Sequence, residues 1–266
     1  MADTAQGRQL TEAHRLGQLA LRARSLRDLL ALWAVVDPTD LSGTIDTFVH
    51  AAVLLAGRDF TLSAGLAARY YALFRAAEGA PGPAPAVTLA LAAPESELAG
   101  ALRGAALKGI VDARRAGLSI VSAKGQGLVK VAGELTKQVL SGGRLTVLGA
   151  LRRDRAAIGW ARAASGSPCT FCRTLVANGV VYKTEGAADF EAHGHCGCSA
   201  EPVYRRGRPT PQQVKYETEF QTAQVWARES GTMSSGTSNN ALNNYRRWLD
   251  AGGPTAGNAG TEGSGA

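Results

Sequence analysis

Aromatic side chains are scarce: Phe, Trp and Tyr make up 6% of the 266 residues. Any core must therefore be built mostly from Leu, Val and Ala, and alanine-rich sequence of this kind favours helix. No uninterrupted apolar run approaches the ~20 residues needed to span a bilayer. The first 30 residues lack a basic start, a short apolar block and a small-residue cleavage site, so no signal peptide is expected. The chain reads as an intracellular product without a membrane partner. Enzyme signatures are missing as well. There is no H-E-x-x-H, no G-x-S-x-G elbow and no G-x-x-x-x-G-K-[ST] phosphate loop. Lys124-Gly125-Gln126-Gly127 reads as an interrupted helix rather than a phosphate cradle. Disorder of the whole chain is excluded by its 45% hydrophobic content.

Charge is present and unevenly placed. Lys and Arg total 29 against 22 Asp and Glu, a surplus of seven. Between residues 101 and 165 twelve basic residues face three acidic ones, a local surplus of nine. Spaced along helices, such a block can face phosphates and displace their counterions, or it can be a solvated helical surface. The candidate nucleic-acid contacts are Arg114, Arg115, Arg144, Arg152, Arg153, Arg155 and Arg162.

The pattern predicts a mainly α fold: a multi-helix N-terminal region, a small α+β Cys/His knuckle-like domain, and C-terminal helices. Residues 1–80 form the N-terminal helical region. There Leu16, Leu19, Ala23, Leu26, Leu30 and Trp33, spaced 3, 4, 3, 4, 3, make the stripe of an amphipathic helix or a coiled-coil seam. Helices are expected at 44–56, stopping at Gly57, and at 62–77. His14 and His50 lie within these helices without acidic or cysteine neighbours at ligand spacing. Residues 81–93 are a Pro/Gly/Ala connector. Residues 94–165 form the basic helical region, with helices to about Ala116, from Ser119 to Leu140, and from Leu145 to Ala163. Gly142-Gly143 is the expected break. Residues 166–208 are the knuckle, with strand-like pieces at 180–183 and 202–204. Residues 209–250 carry two helices, about 211–229 and 240–249. On the second, Tyr245 and Trp248 form either an internal docking face or a partner anchor. Residues 251–266 are a glycine-rich tail expected to be disordered.

Chemistry concentrates in Cys169-Thr-Phe-Cys172 and His193-Gly-His195-Cys196-Gly-Cys198, which hold every cysteine of the chain. One reading is a structural zinc site. A C-x-x-C turn offers two thiolates to one hemisphere of a tetrahedron, and a returning His/Cys segment closes the other. Cys169, Cys172 and His193, with either Cys196 or Cys198, make the first-choice ligand set, and His195 is a possible substitute. A second reading pairs the cysteines in disulfides, which a reducing cytosol disfavours. A third makes one cysteine a nucleophile with His193 or His195 as its base.

The run from Trp160 through Pro168-Cys169-x-x-Cys172, Val181-Tyr182 and His193-x-x-Cys196-x-Cys198 resembles the phage Mu protein F-like minor capsid (head morphogenesis) proteins. The form found in phages of actinobacteria is especially similar. That family usually has Pro after the histidine and Arg between the last two cysteines, where this chain has Gly194 and Gly197. The resemblance covers about residues 150–205. It implies a minor capsid protein near the portal, acting in head assembly and in DNA packaging or ejection. Its partners would be the portal protein, the scaffold or major capsid protein, and packaged DNA. Its location would be the host cytoplasm during assembly and then the virion. Similar proteins are often labelled capsid maturation proteases. A structural role is favoured here, with protease activity and non-sequence-specific DNA binding as the alternatives.

Overall fold

A computed structural model describes residues 2–164, 166, 168–183, 190, 192–233 and 240–253. The fold is mainly helical with one small sheet, as expected. The chain divides into two compact units: residues 1–166 with 180–207, and residues 167–179 with 208–266.

The first unit is built on four helices, α1 (Ala5–Trp33), α2 (Leu41–Ala77), α3 (Glu95–Arg115) and α4 (Ile120–Arg153). Leu29, Phe48, Leu102, Val131, Leu135 and Val139 are fully enclosed in its core. Two expected breaks are absent. Gly57 lies inside a continuous α2, and Gly142-Gly143 lies inside a continuous α4. The glycine pair serves contact rather than termination. A Cβ on Gly142 would sit 2.2 Å from the carbonyl oxygen of Phe60, so only glycine lets α4 approach α2 this closely.

The buried face of α1 also differs from the expected stripe. His14, Gln18, Leu21, Ser25, Leu29 and Trp33 face inward, while Leu16 and Leu30 remain 52% and 58% exposed. Gln18 and Ser25 hold the inner face because both find hydrogen-bonding partners on α2. Gln18 Nε2 donates to the Ser63 carbonyl at 3.0 Å, and Ser63 Oγ donates back to Gln18 Oε1 at 2.8 Å. Ser25 Oγ donates to Asp59 Oδ2 at 2.6 Å, and Arg24 donates to Asp59 Oδ1 at 2.7 Å. Burial pushes the Asp59 carboxyl up, but hydrogen bonds from Arg58, Ser25 and Arg24 outweigh it and hold it below the usual carboxylate range. By length and composition α2 could cross a membrane, yet half of its most apolar window is buried inside the fold.

The connector is tied down by hydrogen bonds. Arg75 Nη2 donates to the carbonyls of Pro81, Gly82 and Pro83 at 2.8, 3.0 and 3.3 Å, and the amide of Ala90 donates to Thr146 Oγ1 at 3.0 Å. Helix α4 ends ten residues short of the expected Ala163. Asp154 stops it: its buried carboxylate accepts from Arg75 Nε at 2.8 Å, from Tyr71 Oη at 2.9 Å and from the amide of Ala156 at 3.0 Å. The chain then enters β1 (Gly159–Ala163), so Trp160 sits on a strand and not on a helix. Strands β2 (Val180–Tyr182) and β3 (Ser199–Val203) flank β1 in the order β2-β1-β3, both antiparallel to it. Strand β2 coincides with the strand-like piece at 180–183, whereas β3 begins three residues before the piece at 202–204 and ends at Val203.

The second unit contains α5 (Thr170–Ala177), α6 (Pro211–Glu229) and α7 (Asn240–Asp250). Helix α6 opens with a full capping box. Thr210 Oγ1 accepts from the amide of Gln213 at 3.2 Å, and Gln213 Oε1 accepts from the amide of Thr210 at 2.9 Å, with Pro211 following. Tyr245 and Trp248 are buried with Ala223 in the core of this unit, which favours the docking reading of that helix. Residues 234–239, between the two C-terminal helices, and the tail from residue 254 lie outside the described residues.

Candidate functional site

The four cysteines are thiols divided between the two units, two in each. In the second unit Cys169 is the N-cap of α5, and its Sγ accepts from the amide of Cys172 at 3.5 Å. The C-x-x-C spacing is therefore a capping spacing: cap and third helical residue share one turn. It brings the two Sγ atoms within 4.8 Å of each other, with Cys169 exposed and Cys172 buried. First-turn N–H groups favour negative charge at this end of a helix. Arg173 anchors α5 within its unit, donating to the Pro168 carbonyl at 3.2 Å and to Glu219 Oε2 at 3.0 Å. Tyr245 Oη donates to the same carboxylate oxygen at 2.5 Å.

In the first unit, Cys196 and Cys198 are both 2% exposed, and their Sγ atoms also lie within 4.8 Å of each other. No helix organises them. Arg144, on α4, donates from Nε to the Cys198 carbonyl at 3.0 Å and from Nη2 to the Cys196 carbonyl at 2.6 Å. Arg162, on β1, donates from Nη1 to Cys196 Sγ at 3.8 Å. Both guanidiniums lie over the Phe190 ring, at 3.8 Å for Arg162 and 4.9 Å for Arg144, and Phe190 stacks on Trp160 at 5.2 Å.

The two histidines of this segment have separate surroundings. His193 is half-buried, its Nδ1 2.5 Å from the Gly194 carbonyl oxygen. His195 takes φ +65°, the left-handed region that costs a non-glycine residue ~1 kcal/mol or more. Its amide donates to the Gly133 carbonyl at 3.3 Å, and its ring lies where a side chain on Gly133 would be, 2.7 Å from the Cβ position. Burial against α4 lowers the His195 pKa, and the Arg22 charge lowers it further. His195 thus docks its loop on α4.

The basic candidates split in two. Arg144 and Arg162 are 3% and 5% exposed and serve the cysteine segment, so they are not available to phosphates. Arg114, Arg115, Arg152, Arg153 and Arg155 are exposed. The first two end α3 before the start of α4; Arg152 and Arg153 end α4, and Arg155 follows it. A 34-residue helix is about 50 Å long, so these are two clusters and not one stripe. Sequence reasoning placed all seven arginines in one class, and nothing in their spacing distinguishes the buried pair. The capping role of Cys169 was readable from its spacing to Cys172.

Each cysteine motif offers soft thiolate donors, and His193 an imidazole, the donor types that could hold a metal ion. In comparison with known proteins, the family model described as VG15 protein, a phage protein family, matches residues 5–223. No curated protein and no solved structure matches the chain.

Proposed function

The chain belongs to the VG15 family of phage proteins, and from that premise we propose that it is a minor structural protein of the phage head whose cysteine segments hold a structural zinc ion. The carrying observation is that each cysteine motif already sets its two thiols within 4.8 Å of each other, one pair by helix capping and one by arginine clamps. Tetrahedral zinc takes four ligands from such a donor set. Cys169, Cys172, His193 and either Cys196 or Cys198 would hold it, with Arg144 fixing the backbone of the last two. When bound, the ion supplies charge neutralisation for the thiolates and a link between distant points of the chain. His195, engaged with α4, has no part in this ligand set.

The role in head assembly rests on the family and on the resemblance of the Cys/His segment to Mu F-like minor capsid proteins. Portal, scaffold or major capsid protein are the partners it implies, and the virion is the location. Metal analysis of the purified, reduced chain tests the zinc site: one equivalent of zinc is expected, and Co²⁺ substitution should give thiolate-to-cobalt absorption. Absence of zinc, with an unchanged melting temperature in chelator, overturns it.

A second reading, non-specific DNA binding, is supported by the exposed Arg114/Arg115 and Arg152/Arg153/Arg155 clusters. It expects affinity that falls steeply with salt and a shallower slope once either cluster is neutralised. Lack of binding at low salt overturns it. The maturation-protease alternative expects cleavage of scaffold or capsid protein on co-expression, lost in Cys169→Ala or Cys172→Ala chains that remain folded.

A further inference from the structure

Helix α1 carries two faces, and the fold uses only one. The inner face is the partly polar His14–Trp33 series. The outer face holds the 3-4 stripe of Leu16, Leu19, Ala23, Leu26 and Leu30, of which Leu16, Ala23 and Leu30 are exposed. A heptad seam of this kind is the pattern that receives a second helix by knobs-into-holes packing. On α2, Leu62, Leu66 and Leu73 are likewise 43%, 41% and 46% exposed. Between the two helices lies an open apolar groove of about 510 Å³, lined by Ala20, Leu62, Gly65 and Leu66 and edged by Arg24 and Arg69. Its floor is low because of glycine: a Cβ on Gly65 would meet nothing within 4 Å, and one on Gly17 would meet only Leu66 at 3.9 Å.

Charge selects the occupant. Both charged residues that edge the groove are basic, and Arg69 is exposed. Arg24 keeps 43% of its side chain exposed beside its ion pair with Asp59. A second copy of the chain would set arginine against arginine in either parallel or antiparallel pairing. We propose that the α1–α2 groove is the docking site for an amphipathic helix of another protein, with leucine-type residues at its a and d positions and glutamate on its flanks. A concave groove between two helices suits a helix better than a flat lipid surface. The groove shares no lining residue with the cysteine segments, so the proposal stands or falls independently of the zinc reading.

The test uses the full chain and a designed peptide of about three heptads, with Leu at a and d and Glu at e and g, alongside a control with Lys at e and g. Calorimetric titration should show binding of the Glu peptide and at least about tenfold weaker binding of the Lys peptide. Gly65→Leu places a side chain in open space, so the variant should fold normally while filling the groove. It should weaken peptide binding about tenfold or more, as should Leu66→Glu. Equal binding of both peptides, or of neither, overturns the proposal. Concentration-dependent dimers in sedimentation, abolished by Leu66→Glu, would instead assign the face to a second copy. Binding to anionic vesicles that Gly65→Leu removes, without peptide binding, would assign it to a membrane surface.

Discussion

The two thiol pairs are reached by opposite means. Cys169 and Cys172 lie three residues apart on one helical turn, and backbone geometry alone sets their separation. Cys196 and Cys198 lie in a loop with no regular structure of its own, and their separation depends on Arg144 and Arg162, 52 and 34 residues earlier than Cys196. The first pair is local and survives as long as α5 does. The second is a tertiary product, and substitutions far from it in sequence should disturb it.

The largest expected effect is at Arg144. Arg144→Ala removes two charge-assisted hydrogen bonds and leaves two buried carbonyls without that donor, a loss of about 3 kcal/mol in urea unfolding of the reduced, metal-free chain. Arg144→Lys should recover less than half, since an ammonium lacks the fork that spans both carbonyls. A loss below about 0.5 kcal/mol would show that the loop holds itself.

Acid separates the two regions next. Burial depresses the imidazole of His14, stacked on Tyr70 in the first unit, to about 4. Between pH 6.5 and about 4 the unfolded chain therefore binds a proton that the folded chain refuses. His14 thus favours folding above pH 6.5, and that contribution falls with the pH by up to ~1.4 kcal/mol per unit. Glu201, pushed up by burial, acts in the opposite sense because its folded form takes up the proton first. Comparison with His14→Phe, which keeps the ring stack, isolates the histidine. Amide exchange in the first unit should quicken across this window, while α5, α6 and α7 change little. Equal quickening in both units would remove the distinction.

A smaller effect is expected at Gly133. A methyl group there meets the far end of the His195 ring, which can shift, so Gly133→Ala should cost about 1 kcal/mol. Thiol labelling of Cys196 and Cys198 should accelerate, and that of Cys169 should not. The smallest effect carries the sharpest sign. Serine caps helices well, so Cys169→Ser should leave metal-free stability unchanged or raise it by a few tenths of a kcal/mol. The same variant should lose most of its zinc affinity. A large fall in metal-free stability would show that Cys169 does more than cap.

What the sequence revealed follows the same division. Helix α6 was legible because Thr210-Pro211-x-Gln213 writes its own start, and the C-x-x-C pair because one helical turn fixes it. Hydrophobic spacing also identified α1, but it picked the outer face. The inner face uses Gln18 and Ser25, whose partners Ser63 and Asp59 lie on another helix. Gly142-Gly143 was read as a break because local propensity penalises glycine, whereas the approach of Phe60 requires it. Trp160 was assigned to a helix because the three buried bonds that turn the chain at Asp154 come partly from α2. In each case the missing information was a partner distant in the chain.

The strand order has a consequence for synthesis. Strand β1 is made early, but its partner β3 is complete only at Val203, and α5, lying between β1 and β2 in sequence, belongs with α6 and α7, which end at Asp250. A chain emerging from the ribosome at 5–20 residues per second, as is typical, carries Cys169 and Cys172 outside for several seconds before the rest of their unit exists. Neither unit can finish folding in the order in which it is translated. The nascent protein holds both half-built at once, which makes that interval the one in which a chaperone or a reducing thiol pool has most to do.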